Sequence, residues 1–372
     1  MPLALINAVI HGFDKEKHTE IVSNVFKRDK TLDVTQAPVV ALVEGVAKLL
    51  GKRENSLAWG RFNNDNFRGP FPSSFDACVF SEPDLTDENV FLALTHTAVD
   101  VIVEKATKSR LATGSKILFG YYKYENGNQG LLIAMIKQKG GIRLTEDFVP
   151  VDIEQVDMAK LSHASEIKIS DYLFSKLDEA KQLEQGAELE DLELIPYLSF
   201  ISSRDTDDAA SYFVEALGCA LYRSSKRSTS LVIKAAYDFC VNNPDLKANA
   251  SKVKEVVCNY LKEKMEAGED ATLEEVKQKV ERAFPVELSR HFDSFVDTLN
   301  GGDYKIPSSF PVSEESLKKY SRIVLKDDDV EIKFEKSDFG TTANSKIQFN
   351  RAERYLKIKL SDKQIDELDK HV

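Results

Sequence analysis

The sequence predicts an α+β fold in two domains: an N-terminal mixed domain with an antiparallel sheet and helices, then a mainly helical domain ending in a small antiparallel β-meander. Three observations carry this expectation. A chain of 372 residues holds two domains at the usual ~100–200 residues each. Two β-rich runs, Lys116 to Tyr124 and Gly130 to Lys137, flank a segment whose Asn126-Gly127 pair is a strong hairpin signal. From Asp205 onward the apolar residues fall at helical spacing, and after Val330 they return to strand alternation.

Taken in order, Ala4 to Ile10 is a short apolar, β-branched run, and Glu20 to Phe26 is placed to pair with it. Val39 to Leu50 and Val90 to Lys108 carry apolar stripes at i, i+3, i+4 spacing and are expected as helices. After the central hairpin a strand is expected at Ile142 to Val149, with Gly140-Gly141 as the turn before it. The polar, acidic stretch from Asp178 to Glu193 is where the domains are expected to part, giving residues 1–178, a linker at 179–193 and residues 194–372. Beyond it, helices are expected at Asp205 to Tyr222, Ser230 to Val241 and Ser251 to Met265, the last with Val253, Val256, Val257, Tyr260 and Leu261 on one side. Val330, Ile332 and Phe334, then Ile347 and Phe349, alternate with polar residues, Tyr355 to Leu360 closes the meander, and Ser361 to His371 forms an exposed final helix.

Composition narrows function mostly by exclusion. At 42% hydrophobic and 30% charged residues, the chain is globular rather than disordered or fibrous. No apolar run approaches the ~18 residues of a membrane span, and no basic segment precedes the first apolar run, so the cytoplasm is the expected location. Cys78, Cys219, Cys240 and Cys258 are far apart, and the six histidines lie three or four residues neither from one another nor from a cysteine, so no local metal site is expected. Neither a phosphate loop, a dinucleotide fingerprint, a nucleophile elbow nor a zinc-protease motif occurs, and no cofactor is expected.

Charge is uneven along the chain. Its net charge of −11 opposes wholesale binding to nucleic acid unless cations are segregated. Glu146 to Glu193 holds fourteen acids against four lysines, while Gly218 to Lys264 holds nine bases against four acids. Within the basic stretch, Arg223-Ser-Ser-Lys226-Arg227-Ser228-Thr229-Ser230 places three cations among hydroxyls between two expected helices. Ser228, Thr229 or Ser230 there would cap the second helix, whose free N–H groups favour phosphate. The same residues also read as a solvated interhelical loop complementing the preceding helix end. Lys252, Lys254, Lys262 and Lys264 scatter around their helix at ~100° per residue and form no stripe. A further basic set, Lys346, Arg351, Arg354, Lys357 and Lys359, lies on and beside the last hairpin. A cationic ribbon can enter a DNA groove, but edge lysines also simply prevent aggregation. One enzyme-like pattern is present: Asp152 with Glu166-Ile167-Lys168, and Glu331-Ile332-Lys333, resemble the carboxylate and lysine sets of metal-dependent nucleases, although such triplets arise by chance in a chain rich in Glu and Lys.

Several blocks in order resemble the bacterial nucleoid-associated protein NdpA family. They are Ile6 to His11, Tyr121-Tyr122-Lys123-Tyr124, His163-Ala164, Tyr197-Leu198-Ser199-Phe200-Ile201 with Arg204, Tyr212-Phe213, Leu217-Gly218, Lys226 and Phe310-Pro311-Val312. The resemblance implies double-stranded DNA binding in the nucleoid. After Arg204, where the family tends to be basic, this chain carries Asp205, Asp207 and Asp208, which repel phosphate and shift the expected contact toward Arg223 to Arg227.

The expected function is therefore non-enzymatic binding of double-stranded DNA through its phosphate backbone, with little sequence preference, by Arg223, Lys226, Arg227, Ser228 and Thr229 together with Lys346, Arg351 and Arg354. The alternatives are a metal-dependent nuclease and an acidic protein-interaction module acting on a DNA-processing enzyme. A homodimer is also expected, because a net-acidic subunit with a modest basic patch gains by presenting two patches to one duplex.

Overall fold

A computed structural model of the chain describes residues 3–50, 57–63, 68–157, 161, 163–186, 194–201, 207–221, 225–302, 304–326, 331–335, 338–342 and 344–371. Contacts divide it into two compact units. The first comprises Met1–Ser224, Thr272–Lys277 and Arg290–Phe310; the second comprises Ser225–Ala271, Gln278–Ser289 and Pro311–Val372. The acidic stretch at 179–193 thus falls within the span of the first unit, and its residues 179–184 complete a helix.

The first unit contains, in order, β1 (Leu3–Lys15), β2 (Val22–Phe26), α1 (Ala37–Leu49), β3 (Leu57–Phe62), α2 (Pro70–Phe80), α3 (Glu88–Lys108), β4 (Ser115–Tyr124), β5 (Gln129–Ile136), β6 (Gln138–Leu144), β7 (Pro150–Val156), β8 (His163–Lys168), α4 (Ile169–Glu184), β9 (Leu198–Ile201), α5 (Asp207–Ala216) and β10 (Cys219–Leu221). Eight of these strands form one sheet in the order β10-β3-β9-β8-β5-β4-β1-β2. Every neighbouring pair is antiparallel. Strand alternation sends Ile117, Phe119, Tyr121, Leu131, Ile133 and Met135 to one face, where they join buried residues of α2, α3 and α5. Leu118, Tyr122, Leu132 and Ala134 go to the other face and pack with Val43 and Val46 of α1. Because helices cover both faces, β4 and β5 are apolar nearly throughout instead of alternating. The close approach of α1 explains Gly120: a Cβ there would stand 2.8 Å from Cγ1 of Val43.

The expected strand at Ile142 to Val149 is corrected. Gly140-Gly141 lies inside β6, and Thr145 to Val149 form the turn to β7, so β6 and β7 make a separate two-stranded antiparallel arm. Several elements were not expected, among them β3, α2, α4 and β9. Pro70 and Pro72 occupy the first turn of α2, where a missing N–H costs nothing. Helix α3 starts two residues earlier than its stripe suggested, because the Asp87 carboxylate accepts hydrogen bonds from the backbone N–H groups of Asn89 and Val90.

The chain returns to the first unit through β11 (Ala271–Thr272), α8 (Leu273–Glu281), α9 (Phe295–Asn300) and β12 (Ser309–Phe310), of which β11 and α8 cross the unit boundary. Asn300 explains the return. Its buried side chain donates to the carbonyls of Leu57 and Ile306 and accepts from Leu57 N–H, and its carbonyl accepts from the Trp59 indole at 2.7 Å. The second unit holds α6 (Ser225–Asn242), α7 (Ala250–Ala267), α10 (Glu314–Ser321), β13 (Arg322–Lys326), β14 (Glu331–Glu335), β15 (Phe339–Gly340), β16 (Ile347–Asn350), β17 (Tyr355–Ile358) and α11 (Asp362–Leu368). β13 pairs with β14, and β15-β16-β17 form a small sheet whose Phe349 stacks on Phe339, which in turn stacks on Phe334.

A buried histidine ties the start of the chain to α3. His11 Nδ1 accepts the Arg28 N–H at 3.1 Å, so its proton sits on Nε2 and is donated to Thr95 Oγ1 at 3.0 Å; the threonine hydroxyl donates onward to the Leu92 carbonyl. Burial, followed by the neighbouring His96, Lys27 and Arg28, pushes the imidazole down to about 4. Between that value and an ordinary ~6.5 the unfolded chain binds the extra proton, so stability rises with pH across this window and is lost as pH falls through it. Urea titrations between pH 6.5 and 4.5 are expected to show this one group removing on the order of 2–3 kcal/mol, a slope that His11→Gln flattens.

Candidate nucleic-acid interface

The two basic sets differ once their side chains are placed. Helix α6 begins at Ser225, five residues before the expected start, so Ser228 and Thr229 lie within its first turns and are buried rather than capping an exposed end. Thr229 Oγ1 accepts the backbone N–H of Ser313 at 2.9 Å, and Ser313 Oγ accepts from Ser316 N–H at the start of α10. The Thr229 hydroxyl therefore serves the joint between α6 and α10, and Ser228 beside it is buried. Lys226 is exposed in the first turn and pairs with Glu315 at 3.0 Å. That cation and Lys319 hold the Glu315 carboxyl below the usual range. Arg227 is partly buried, and Arg223, Arg204 and Asp205 lie outside the described residues, as do the side chains of Asp207 and Asp208. In α7, Lys254 lies 4.2 Å from the ring centre of Tyr237, and Lys264 pairs with Glu269 at 2.9 Å.

The last hairpin presents its cations differently. β16 and β17 pair with Ile347 opposite Ile358, Gln348 opposite Lys357, Phe349 opposite Leu356 and Asn350 opposite Tyr355; the Lys359 N–H donates to the Lys346 carbonyl at 2.8 Å. Directly opposed residues share a face. Lys346, Lys357 and Lys359 therefore stand with Gln348, Asn350 and Tyr355 on one side of the ribbon, while Ile347, Phe349, Leu356 and Ile358 take the other, where Phe349 stacks on Phe339. The turn is shaped by Asn350, whose Oδ1 accepts from the N–H groups of Ala352 and Glu353 and whose Nδ2 donates to Glu353. Arg351 and Arg354 are exposed in this turn, and Arg354 adopts the left-handed φ of 58°. Lys346 pairs with Asp338 at 3.3 Å. Among the described residues, Arg351, Arg354, Lys357 and Lys359 are exposed and in no ion pair.

The first nuclease-like set is occupied by other contacts, and the side chain of Glu331 in the second lies outside the described residues. Glu166 is buried and accepts hydrogen bonds from the hydroxyls of Tyr122 at 2.9 Å and Tyr124 at 3.0 Å; burial, then the carboxylate, raise both phenols. Lys168 lies over the Trp59 ring, and Asp152 belongs to the β6–β7 arm. No group of three or more His, Cys, Asp or Glu able to hold a metal occurs among the described residues. None of the four cysteines forms a disulfide, and Cys219 and Cys240 are buried, with burial lifting the Cys240 thiol to about 12. No described helix is long and apolar enough to cross a membrane.

Comparison with known proteins connects this geometry to a family. The family model described as nucleoid-associated protein YejK matches residues 9–365. A protein named nucleoid-associated protein from Pseudomonas paraeruginosa is 23% identical over 354 residues, covering 95% of this chain and 92% of that one. One of the same name from Metapseudomonas resinovorans is 24% identical over 355 residues, covering 94% and 93%. Another, from Pseudomonas entomophila, is 23% identical over 313 residues, covering 84% and 83%.

The two parts of the α6 basic segment are expected to separate in denaturation. Thr229→Val strands the buried Ser313 N–H and lowers stability in urea by about 1–3 kcal/mol. Lys226→Ala, which removes an exposed pair with Glu315, changes it by less than about 0.5 kcal/mol. Equal effects would contradict the assignment of these positions to a buried joint and an exposed surface.

Proposed function

The chain belongs to the nucleoid-associated protein YejK family, and from that premise we propose that it binds double-stranded DNA in the nucleoid, without catalysis, through phosphate-backbone contacts made chiefly by the last hairpin. The observation that carries the reading is the cationic face and tip of β16–β17, where Arg351, Arg354, Lys357 and Lys359 stand exposed with no ion pair among the described residues. Cations already neutralised by a carboxylate must exchange one partner for another, so their net contribution to DNA binding is small. Unpaired cations replace condensed counterions directly, and that release supplies the affinity. On this account Lys346, held to Asp338, and Lys226, held to Glu315, are secondary contacts.

The ribbon's dimensions suit the task. A two-stranded ribbon fits the ~12 Å major groove, and a turn with arginines at both corners can straddle adjacent phosphates. Asn350 and Gln348 share the cationic face but point from a short ribbon, so backbone contacts dominate and sequence preference is weak. The overall charge of −11 works in the same direction: it repels the duplex everywhere except at the segregated cations, and so orients the approach.

Gel-shift titrations across salt test the assignment. For the native chain, log affinity is expected to fall linearly with log salt. Replacing Arg351, Arg354, Lys357 and Lys359 together by Ala flattens the slope by up to about 0.9 per cation removed, with little change in stability. An unchanged slope in this variant, together with loss of binding in Lys226→Ala with Arg227→Ala, would overturn the choice of surface.

A further inference from the structure

In the Glu166-Ile167-Lys168 triplet the carboxylate is engaged and the ammonium keeps its hydrogen-bonding capacity. Glu166 lies buried beneath the Tyr122 and Tyr124 hydroxyls. Lys168, next but one along β8 and so on the same sheet face, is only partly buried. Its ammonium stands 5.1 Å from the ring centre of Trp59 and makes neither a hydrogen bond nor an ion pair among the described residues. Register explains the separation. Tyr122, Gly130 and Lys168 stand opposite one another across β4, β5 and β8. Because Gly130 has no side chain, the Tyr122 ring lies over it beside Glu166: a Cβ there would stand 2.7 Å from that ring and 3.0 Å from Glu166 Oε1.

A cavity of about 280 Å³ opens beside Lys168, lined by Tyr124, Asn126 and Asn128 of the β4–β5 hairpin and by Ser170 and Asp171 in the first turn of α4. Its polar groups are committed on one side only. Asn126 Oδ1 accepts the Asn128 N–H at 3.0 Å, which leaves the Asn126 Nδ2 donors, and the Asn128 amide has no partner among the described residues. Ser170 Oγ accepts the Gln129 N–H at 3.1 Å and keeps its own proton to donate. One oxygen of Asp171 takes the buried Lys305 ammonium at 2.6 Å, and the other has no partner among the described residues.

These groups specify a ligand. Lys168 and Lys305 against Glu166 and Asp171 sum to zero, but Lys305 and Asp171 satisfy each other and Glu166 is sealed by two hydroxyls. A single negative charge therefore finds Lys168, whereas a second one meets two carboxylates. Donors predominate around the cavity, and the free oxygen of Asp171 accepts from a hydroxyl. We propose that the cavity binds a small hydroxycarboxylate, its carboxylate on Lys168 and Ser170, its hydroxyls on Asp171, Asn126 and Asn128, and its carbon skeleton against Tyr124. The volume lies at the lower end of the ~300–1,000 Å³ of ligand pockets and suits about four to six carbons. A phosphate monoester, with close to two charges at neutral pH, fits less well. The site belongs to the first unit and the cationic hairpin to the second, so neither reading rests on the other.

Trp59 is the only tryptophan of the chain, and its contact with Lys168 makes its emission a reporter of this cavity. Gluconate titrated into the full chain, with calorimetry as a second readout, is expected to give a response that saturates below about 10 mM. Acetate, which lacks the hydroxyls, and sorbitol, which lacks the carboxylate, bind at least about tenfold more weakly, and inorganic phosphate binds more weakly than gluconate. Lys168→Gln weakens gluconate about tenfold or more and Asn128→Ala about threefold, with urea midpoints unchanged. Replacing the four hairpin cations by Ala leaves the gluconate response as it is. No saturable response by either readout, equal affinity for gluconate and acetate, tighter binding of phosphate, or native affinity in both Lys168→Gln and Asn128→Ala would each overturn the proposal. So would displacement of gluconate by duplex DNA, which would put backbone phosphate in the cavity.

Discussion

Burial of both faces of the eight-stranded antiparallel sheet is the constraint on which the first unit depends. A sheet covered by α1 on one side and by α2, α3 and α5 on the other cannot place a charge in its central strands without a partner. Several buried polar side chains in or against it are held this way, His11 between Arg28 N–H and Thr95, Glu166 beneath two tyrosine hydroxyls, and Asn300 across Leu57 and Ile306, whereas Ser165 Oγ in β8 is buried with no hydrogen-bond partner among the described residues. Charge is therefore expelled to excursions from the sheet, such as the β6–β7 arm. In the second unit the β16–β17 ribbon carries exposed cations that are in no ion pair among the described residues.

This constraint also decides how much of the fold could be read from the residues. The β4–β5 hairpin was legible because Asn126-Gly127 specifies its turn, and Gly127 takes the left-handed φ of 82° that such a turn requires. Helices α3 and α7 were legible because each buries one stripe. β3 was not: Leu57-Ala-Trp-Gly-Arg-Phe is broken by Gly60, which is there because a Cβ would stand 2.7 Å from the Ala220 carbonyl of the adjacent strand. The start of α6 was misplaced because serine and threonine compete with the helix backbone and read as caps. Only a partner 84 residues away, Ser313, shows why Thr229 is tolerated inside.

The family resemblance rests mostly on residues outside the proposed interface. Tyr122, Ala164, Tyr197, Leu198, Phe200, Tyr212, Phe213 and Leu217 are all buried, and Gly218 adopts a φ of 66° against the Arg68 carbonyl. These positions report a shared sheet and its packing, which is why the family was legible at low identity. A surface that binds phosphate needs only exposed cations, and from residue types alone the segment from Arg223 to Thr229 ranked ahead of the last hairpin. Ion pairing separates them, and it depends on Asp338 and Glu315, which folding brings to Lys346 and Lys226.

The central claim is that duplex DNA rests on the polar face of β16–β17. The most direct measurement replaces Tyr355, which shares that face with Lys357 and Lys359, by a photoreactive phenylalanine and irradiates the protein bound to a labelled duplex, with Tyr237 replaced in a parallel sample. The account predicts an efficient, salt-sensitive crosslink from position 355 and little from position 237. A crosslink from position 237 alone would contradict it and move the interface to the surface of α6 and α7.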